Sequence, residues 1–292
     1  MKPGIPIYAI EALQSYKNKG VLVSRFGYYL EQQKNLIWPH RHHFYHLVFF
    51  TRGRGTQQLD FNTFDMVAGQ IYFMVPGQVH QWKFDEAPDG FIVNFSADYF
   101  SSFLLDPAYL QRFRFFSAET ALQVIDLPER SREKVARIFE AMLLQTSGET
   151  FEDDDLVKVL LLRLFMEVAA IQQVEKPLHE NAYNQTLVGH FKAQIEQHYK
   201  TMRLPKQYAA RLYITPNHLN AVCNDLLGVS AGSLIRNRVL LEAKRMLIQA
   251  DKRISDIARE LHFDDQSYFI KFFKKYEGMT PEKFRKSIID GN

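Results

Sequence analysis

The chain has 292 residues and a net charge of +3, with 46% hydrophobic and 24% charged residues. That is an ordinary globular composition, long enough for two cored domains. No apolar run reaches the roughly 18 residues of a membrane span, the opening MKPGIPIYAIEALQSYKNKG lacks the apolar core of a signal peptide, and a single cysteine, Cys223, rules out an intrachain disulfide. These features point to a cytoplasmic protein with no membrane partner.

The small net charge hides an asymmetry. Residues 1–180 carry 18 Lys+Arg against 22 Asp+Glu, and residues 181–292 carry 18 against 11, so the two parts stand at −4 and +7. A basic C-terminal third on a mildly acidic body suggests that the third meets a polyanion.

In chain order, residues 20–95 read as strands. Short apolar and aromatic runs are broken by turn signals at RGRG (52–55), DFN (60–62), AGQ (68–70), PGQ (76–78) and APDG (87–90). Their spacing favours an all-β barrel or sandwich. Within this region WPHRHHFYHLVFF (38–50) packs four histidines into seven positions. Strand alternation places His40, His42, Phe44 and His46 on one face and Arg41, His43 and Tyr45 on the other.

ADYFSSFLL (97–105) reads as a short helix. PERSREKVARIFEAMLLQ (128–145) sets Val135, Ile138, Phe139 and Met142 at i, i+3, i+4 and i+7, the apolar stripe of an amphipathic helix. FEDDDLVKVLLLRLFMEVAAIQQV (151–174) is a longer helix whose acidic start suits a helix N-terminus. Its apolar residues cover more than one face, so it is either a buried core helix or a dimer interface. EKPLHENAYNQ (175–185) reads as a linker.

From Thr186 onward the pattern is helical. In LPKQYAARLYITPNHLNAVCNDLLGVS (204–230) a short helix ends near Tyr213. Thr215 N-caps the next helix with Pro216 at its first position, and Gly228 closes it. That helix buries Leu219, Val222, Cys223 and Leu226 and turns Asn217, His218, Asn220 and Asn224 outward. Amides on an exposed recognition face can bond adenine edges.

A second such unit spans 254–286. Ser255 and Asp256 open a short helix, and a turn follows at His262 and Phe263. A second helix buries Phe269, Phe272 and Phe273 and exposes Gln266, Ser267, Tyr268, Lys271, Lys274 and Lys275 before ending at Gly278. A third begins at Thr280-Pro281. Between the two units, SAGSLIRNRVLLEAKRMLIQ (230–249) is one helix of about five turns, a rigid spacer.

This doubled helix-turn-helix pattern resembles the DNA-binding domain of AraC/XylS-type transcription regulators. ISDIARELHF, SYFIKFFKKYEGMTP, Phe284-Arg285 and the preceding RVLLEAKRML carry the resemblance. It implies base contacts by Asn217, Asn220 and Asn224 from the first recognition helix and by Ser267, Tyr268 and Lys271 from the second; His218, Gln266 and Lys275 flank them. Two recognition helices on one rigid helix would read adjacent major-groove segments about 34 Å apart. Two positions depart from the family pattern. His262 stands where glycine is usual, and Ala221 where a base-reading arginine is common.

The N-terminal half resembles the cupin-like sensor domain of the same family, with GQIYFMVPGQVHQW (69–82) matching the second cupin motif and placing His80 opposite the first. Metal-binding cupins use a His-x-His pair, a carboxylate four residues on and a downstream histidine. Here the set is His40, His42, His46 and His80, with His46 in the carboxylate's place. Two readings stay open: a divalent-metal site, or a metal-free pocket for a small-molecule effector. Trp38 and Trp82 flank the cluster as pocket walls or as barrel core.

The expected architecture is therefore α+β in two domains. Residues 1–175 form a cupin-like sensing and dimerisation domain, with a barrel at 20–95 and helices at 97–174. A linker at 176–185 leads to an all-α DNA-binding domain at 186–292. The expected function is a non-enzymatic, homodimeric, sequence-specific transcription regulator acting on double-stranded DNA, with RNA polymerase a candidate further partner. The alternative is a cupin metalloenzyme or metal sensor fused to a DNA-binding domain.

Overall fold

A computed structural model of the chain divides into two compact units, one built on Pro6–Leu178 and the other on His179–Asn292. The residues described are 5–13, 20–33, 38–106, 109–117, 119–146, 150–173, 182–248 and 252–290. Most of the linker expected at 176–185 lies outside them. Its last four residues already belong to the helix Ala182–His198.

The first unit is a sheet with helices packed against it. Its strands are β1 (Ile7–Tyr8), β2 (Val21–Arg25), β3 (His40–His42), β4 (Phe44–Leu59), β5 (Asn62–Val67), β6 (Gln70–Met74), β7 (Val79–Ser96) and β8 (Val124–Asp126). Their order is β1-β3-β7-β4-β6-β8, with β2 also on β7 and β5 on β4. Every pairing is antiparallel except β1 with β3.

Two of the expected turns are not turns. RGRG and APDG lie inside β4 and β7, facing each other where the β4–β7 register shifts between Phe50 and Gly55. A Cβ on Gly55 would run into the Lys83 carbonyl, and one on Gly90 into the Phe49 carbonyl. Glycine here allows two backbones to close on each other at a bulge, which bends the sheet instead of ending a strand. The other three signals do form turns, with Asp60 at φ 52°.

Two more expectations are corrected. Phe26–Gln32, read as strand, is a helix (α1) that buries Phe26 and Tyr29. Residues 97–103 form successive turns closed by bonds such as Ser101 N to Asp98 O and Phe103 N to Phe100 O, not a helix. β8, which pairs with β6, lies beyond the region read as strand.

Strand alternation splits the core in two. Inward from β4 point Phe44, Val48 and Phe50, which pack with Tyr29, Tyr72, Met74, Trp82 and Ile92. Outward point Tyr45, Leu47 and Phe49, under α2 (Glu129–Gln145) and α3 (Phe151–Gln173). The α2 stripe is as the spacing predicts: Val135, Ile138, Phe139 and Met142 are all buried, each contributing about 2 kcal/mol. Phe139 stacks on Phe91 at 5.3 Å, and Phe165 of α3 meets Phe116 edge-on at 5.0 Å. α3 also keeps Leu156, Val159 and Met166 exposed.

The second unit is all-helical: α4 (Ala182–His198), α5 (Pro205–Arg211), α6 (Pro216–Leu227), α7 (Ala231–Leu247), α8 (Ile254–Glu260), α9 (Gln266–Glu277) and α10 (Pro281–Asp290). α7 runs 17 residues, about 25 Å at 1.5 Å per residue.

Candidate functional site

Two arrangements stand out, one in each unit. In the helical unit, α5–α6 and α8–α9 are near-copies. Each pairs a helix of 7 residues with one of 12. Side chains cap both longer helices at the N-terminus: Thr215 Oγ1 accepts from His218 N at 3.2 Å, and Asp265 Oδ1 from Tyr268 N at 2.7 Å. Gly228 and Gly278 close them in the left-handed conformation. At the turn between helices, His262 adopts φ 53°, the value its glycine-replacing position demands, and Tyr213 does the same between α5 and α6 at φ 55°.

The N-terminal part of each longer helix is open to solvent. On α6, Asn217, His218 and Asn224 are exposed. Asn220 is half-buried and its Oδ1 accepts from Ala231 N at 3.1 Å, so its side-chain oxygen anchors the start of α7. On α9, Gln266, Ser267, Tyr268, Lys271, Lys274 and Lys275 are exposed. Phe272, expected in the core, is only half-buried, between Phe263 at 5.2 Å and Tyr276 at 5.1 Å.

One residue absent from the sequence-derived candidates braces this surface. The Arg203 guanidinium, ahead of α5, donates to the Leu261 carbonyl and lies 4.2 Å over the Phe263 ring. It thereby ties the segment ahead of α5 to the turn that aims α9. Arg285 of α10 does similar work, donating to Leu247 O at 3.1 Å and Lys252 O at 2.6 Å.

In the sheet unit, the interior gathers His40, His42, His46 and His80, each at most 2% exposed. β3 and β7 pair His40 with His80 directly. Ring centroids lie 4.2 Å apart for His40–His80, 4.7 Å for His40–His42 and 4.8 Å for His42–His80. The ligating nitrogens of these three lie within 4.8 Å of one another. His46 does not join them: it stacks on His42 at 5.1 Å, with Asn94 as the side chain that favours its charged form.

The cluster is poor in partners. His40 Nδ1 meets Trp38 O at 2.6 Å, and His40 Nε2 meets His42 Nε2 at 3.1 Å. Nδ1 of His42 and Oε1 of Gln57 are buried without a hydrogen bond, while the Gln78 backbone is the polar group that favours charge on His80. Asn94 and Gln57 are further polar residues that the sequence reading passed over. An asparagine inside the apolar run FIVNF was the available signal.

Burial disfavours charge on every imidazole. It pushes His40 down to about 4 and His46 to about 3, the latter helped by the neighbouring His40. His42 and His80 also fall well below the usual histidine value, through burial and then through the surrounding imidazoles.

The tryptophans separate. Trp82 is core, edge-on to Phe50 at 5.2 Å and Phe26 at 5.8 Å. Trp38 is no pocket wall: the residue is 66% exposed, and its carbonyl is what reaches the cluster.

Comparison with known proteins adds an independent line. A family model described as an AraC-like ligand binding domain matches residues 22–165, and one described as a helix-turn-helix domain matches residues 208–287. The Msm operon regulatory protein of Streptococcus mutans is 22% identical over 250 residues, covering 84% of each chain. The probable transcription factor PqrA of Proteus vulgaris is 40% identical over 70 residues, 24% of this chain. The chain spans 57% of PqrA's length, and only 33% and 10% of two further curated relatives. Among solved structures, unsaturated-fatty-acid-bound ToxT of Vibrio cholerae aligns over 93% of this chain and 96% of its own, at 10% identity and a TM-score of 0.41.

Proposed function

Because the chain belongs to the AraC-type regulators, pairing their ligand-binding domain with their helix-turn-helix domain, we propose that it is a homodimeric transcription regulator. It reads double-stranded DNA with α6 and α9 and responds to an effector held inside the sheet unit. The observation that carries this reading is the doubled recognition unit. Two capped helices present Asn217, His218 and Asn224 on one side and Gln266, Ser267, Tyr268, Lys271 and Lys275 on the other, on one rigid α7. Phosphate attraction by the lysines supplies affinity, and side chains at base edges supply sequence preference.

Dimerisation is supported by the exposed Leu156, Val159 and Met166 on α3, an apolar surface beyond what the sheet covers. RNA polymerase is the natural further partner of a DNA-bound regulator. No enzymatic step is needed for any of this.

The experiment is selection of bound sequences from a random double-stranded library by the full-length protein, followed by footprinting. Two recognised segments about one helical turn apart support the reading. Uniform, sequence-independent binding, or none at low salt, would end it.

A further inference from the structure

We propose, resting on the regulator reading above, that Arg203 is a positioning residue: it fixes the separation of the two recognition helices and so sets the spacing of DNA segments that the protein accepts. The observation behind this is that α9 is held at both ends, by different parts of the helical unit. At its C-terminal end, Lys244 of α7 pairs with Glu277 at 2.7 Å, and Arg236 of α7 lies 5.2 Å over the Tyr276 ring. Its N-terminal half is seated on Phe263, whose ring packs on Tyr268 at 5.8 Å and on Phe269 and Phe272 at 5.2 Å each.

Arg203 holds Phe263 in turn. Its guanidinium lies 4.2 Å over that ring and donates to the carbonyl of Leu261, the C-cap of α8. It also donates to Lys200 O, at 3.4 Å from Nε and 3.3 Å from Nη2, just past the end of α4. One planar cation thus spans carbonyls at the ends of two helices, where the backbone carries partial negative charge, and covers an aromatic face as well. Lysine has one compact donor group and no plane to stack, so it cannot do both. Burial pushes the guanidinium pKa down, and Tyr208, Tyr268 and Asp264 push it back. Those neighbours belong to α5, to α9 and to the turn before α9, which places the group at the junction of the two recognition pairs.

The pairs α5–α6 and α8–α9 are therefore linked twice, once through α7 and once through Arg203. Two links at separate points resist a rotation that one link allows. α9 has 12 residues, about 18 Å at ~1.5 Å per residue, so a tilt of about 10° about its C-terminal end carries its N-terminal end ~3 Å. That is close to one base-pair step, about 3.4 Å. Without the brace each helix still reaches its own bases; what changes is which spacing lets both do so at once.

The test compares full-length wild type, Arg203→Ala and Arg203→Lys on the selected two-segment operator and on versions with one base pair added or removed between the segments. Wild type should lose at least ~30-fold in affinity on either change, since one helix then meets displaced bases. Arg203→Ala should bind the original operator more weakly yet lose at most ~5-fold on either change, with Arg203→Lys between the two. Should Arg203→Ala fail to fold by circular dichroism, Arg203→Lys carries the comparison, with a spacing penalty at least ~3-fold smaller than that of wild type. A merely structural residue would lower affinity for all three spacings alike; that result, or a wild type indifferent to spacing, overturns the proposal. A measurement without DNA separates the brace from the regulator reading. Spin labels at Ala221→Cys and Ser267→Cys, with Cys223→Ala removing the native thiol, report the α6–α9 distance by pulsed electron spin resonance. A distribution narrow with Arg203 and broad with Arg203→Ala supports the brace; joined to an absence of sequence-specific DNA binding by wild type, it leaves the brace standing and overturns the regulator reading. Equal widths overturn the brace whatever the DNA result.

Discussion

Acidification should unfold the sheet unit over a narrow range, and the histidine cluster sets the size of the effect. In the unfolded chain each imidazole titrates near 6.5; in the fold all four are held neutral, with His40 at about 4 and His46 at about 3. The unfolded state therefore binds more protons below about pH 6.5, and stability is lost as pH falls from there toward the folded values. Between pH 7 and pH 5 an imidazole kept neutral in the fold loses about 2 kcal/mol. Four such groups lose about 8 kcal/mol, comparable with the whole stability of a typical domain, roughly 5–15 kcal/mol. The assay is urea unfolding of the full-length chain with EDTA present, followed by fluorescence. Trp38 and Trp82 are the only tryptophans, so Trp38→Phe leaves the buried Trp82 as a reporter of the sheet unit alone. A midpoint that falls steeply below pH 6.5, and falls less in His46→Gln, is the expected result. A midpoint flat between pH 7 and pH 5 would refute the claim that the cluster is buried and neutral.

Lys271→Ala should weaken operator binding by about 1–3 kcal/mol in a titration, mainly against the cognate sequence if the lysine meets a guanine. Tyr213 is 95% exposed and held at φ 55°; Tyr213→Gly should raise the melting temperature of the helical unit by relieving about 1 kcal/mol of backbone strain, and a lower value would show a packing role instead. Arg203→Ala should reduce stability by about 1–3 kcal/mol, because it leaves the Leu261 carbonyl short of its charged donor; unchanged denaturation and operator affinity would remove its role as a brace. The full-length protein should sediment as a dimer at tens of micromolar, and Val159→Lys with Met166→Lys as a monomer; a monomeric wild type counts against α3 as the interface.

What the sequence made legible follows from short-range rules. The α2 stripe, the Thr215 cap and the terminal glycines Gly228 and Gly278 each depend on neighbours within a few positions, and each is found where the spacing puts it. Strand parity likewise turned His40, His42 and His46 inward together. Most of the misses are long-range. Whether glycine in RGRG makes a turn or a bulge depends on the strand opposite, and APDG lies about 35 residues away. α1 was hidden among strands, although Phe26, Tyr29 and Leu30 have helical spacing. Asn220 looks like a base reader until α7 is in place to claim its oxygen. No local pattern separates Arg203 from an ordinary surface arginine, since its partners Leu261 and Phe263 are far along the chain. His46 faces the same interior as His42, yet it lies on β4 and not on β3, and its nitrogens do not join the converging three.

β4 and β7 are party walls. Residue by residue they hand side chains to two tenants, the imidazole chamber and the aromatic layer beneath α2 and α3. His46 sits between Tyr45 and Leu47, and Asn94 between Val93 and Phe95. Phe49 and Phe95, one on each wall, rest against Phe139 at 5.9 Å and Phe165 at 6.2 Å. A wall of this kind cannot be moved for one tenant alone, because close-packed interiors transmit displacement instead of absorbing it. A changed side chain in the imidazole cluster is thereby passed on to the aromatic layer beneath α2 and α3. Anyone refitting the chamber for a different occupant will meet the consequence first as altered packing of α2 and α3, on the far side of the sheet from the substitution.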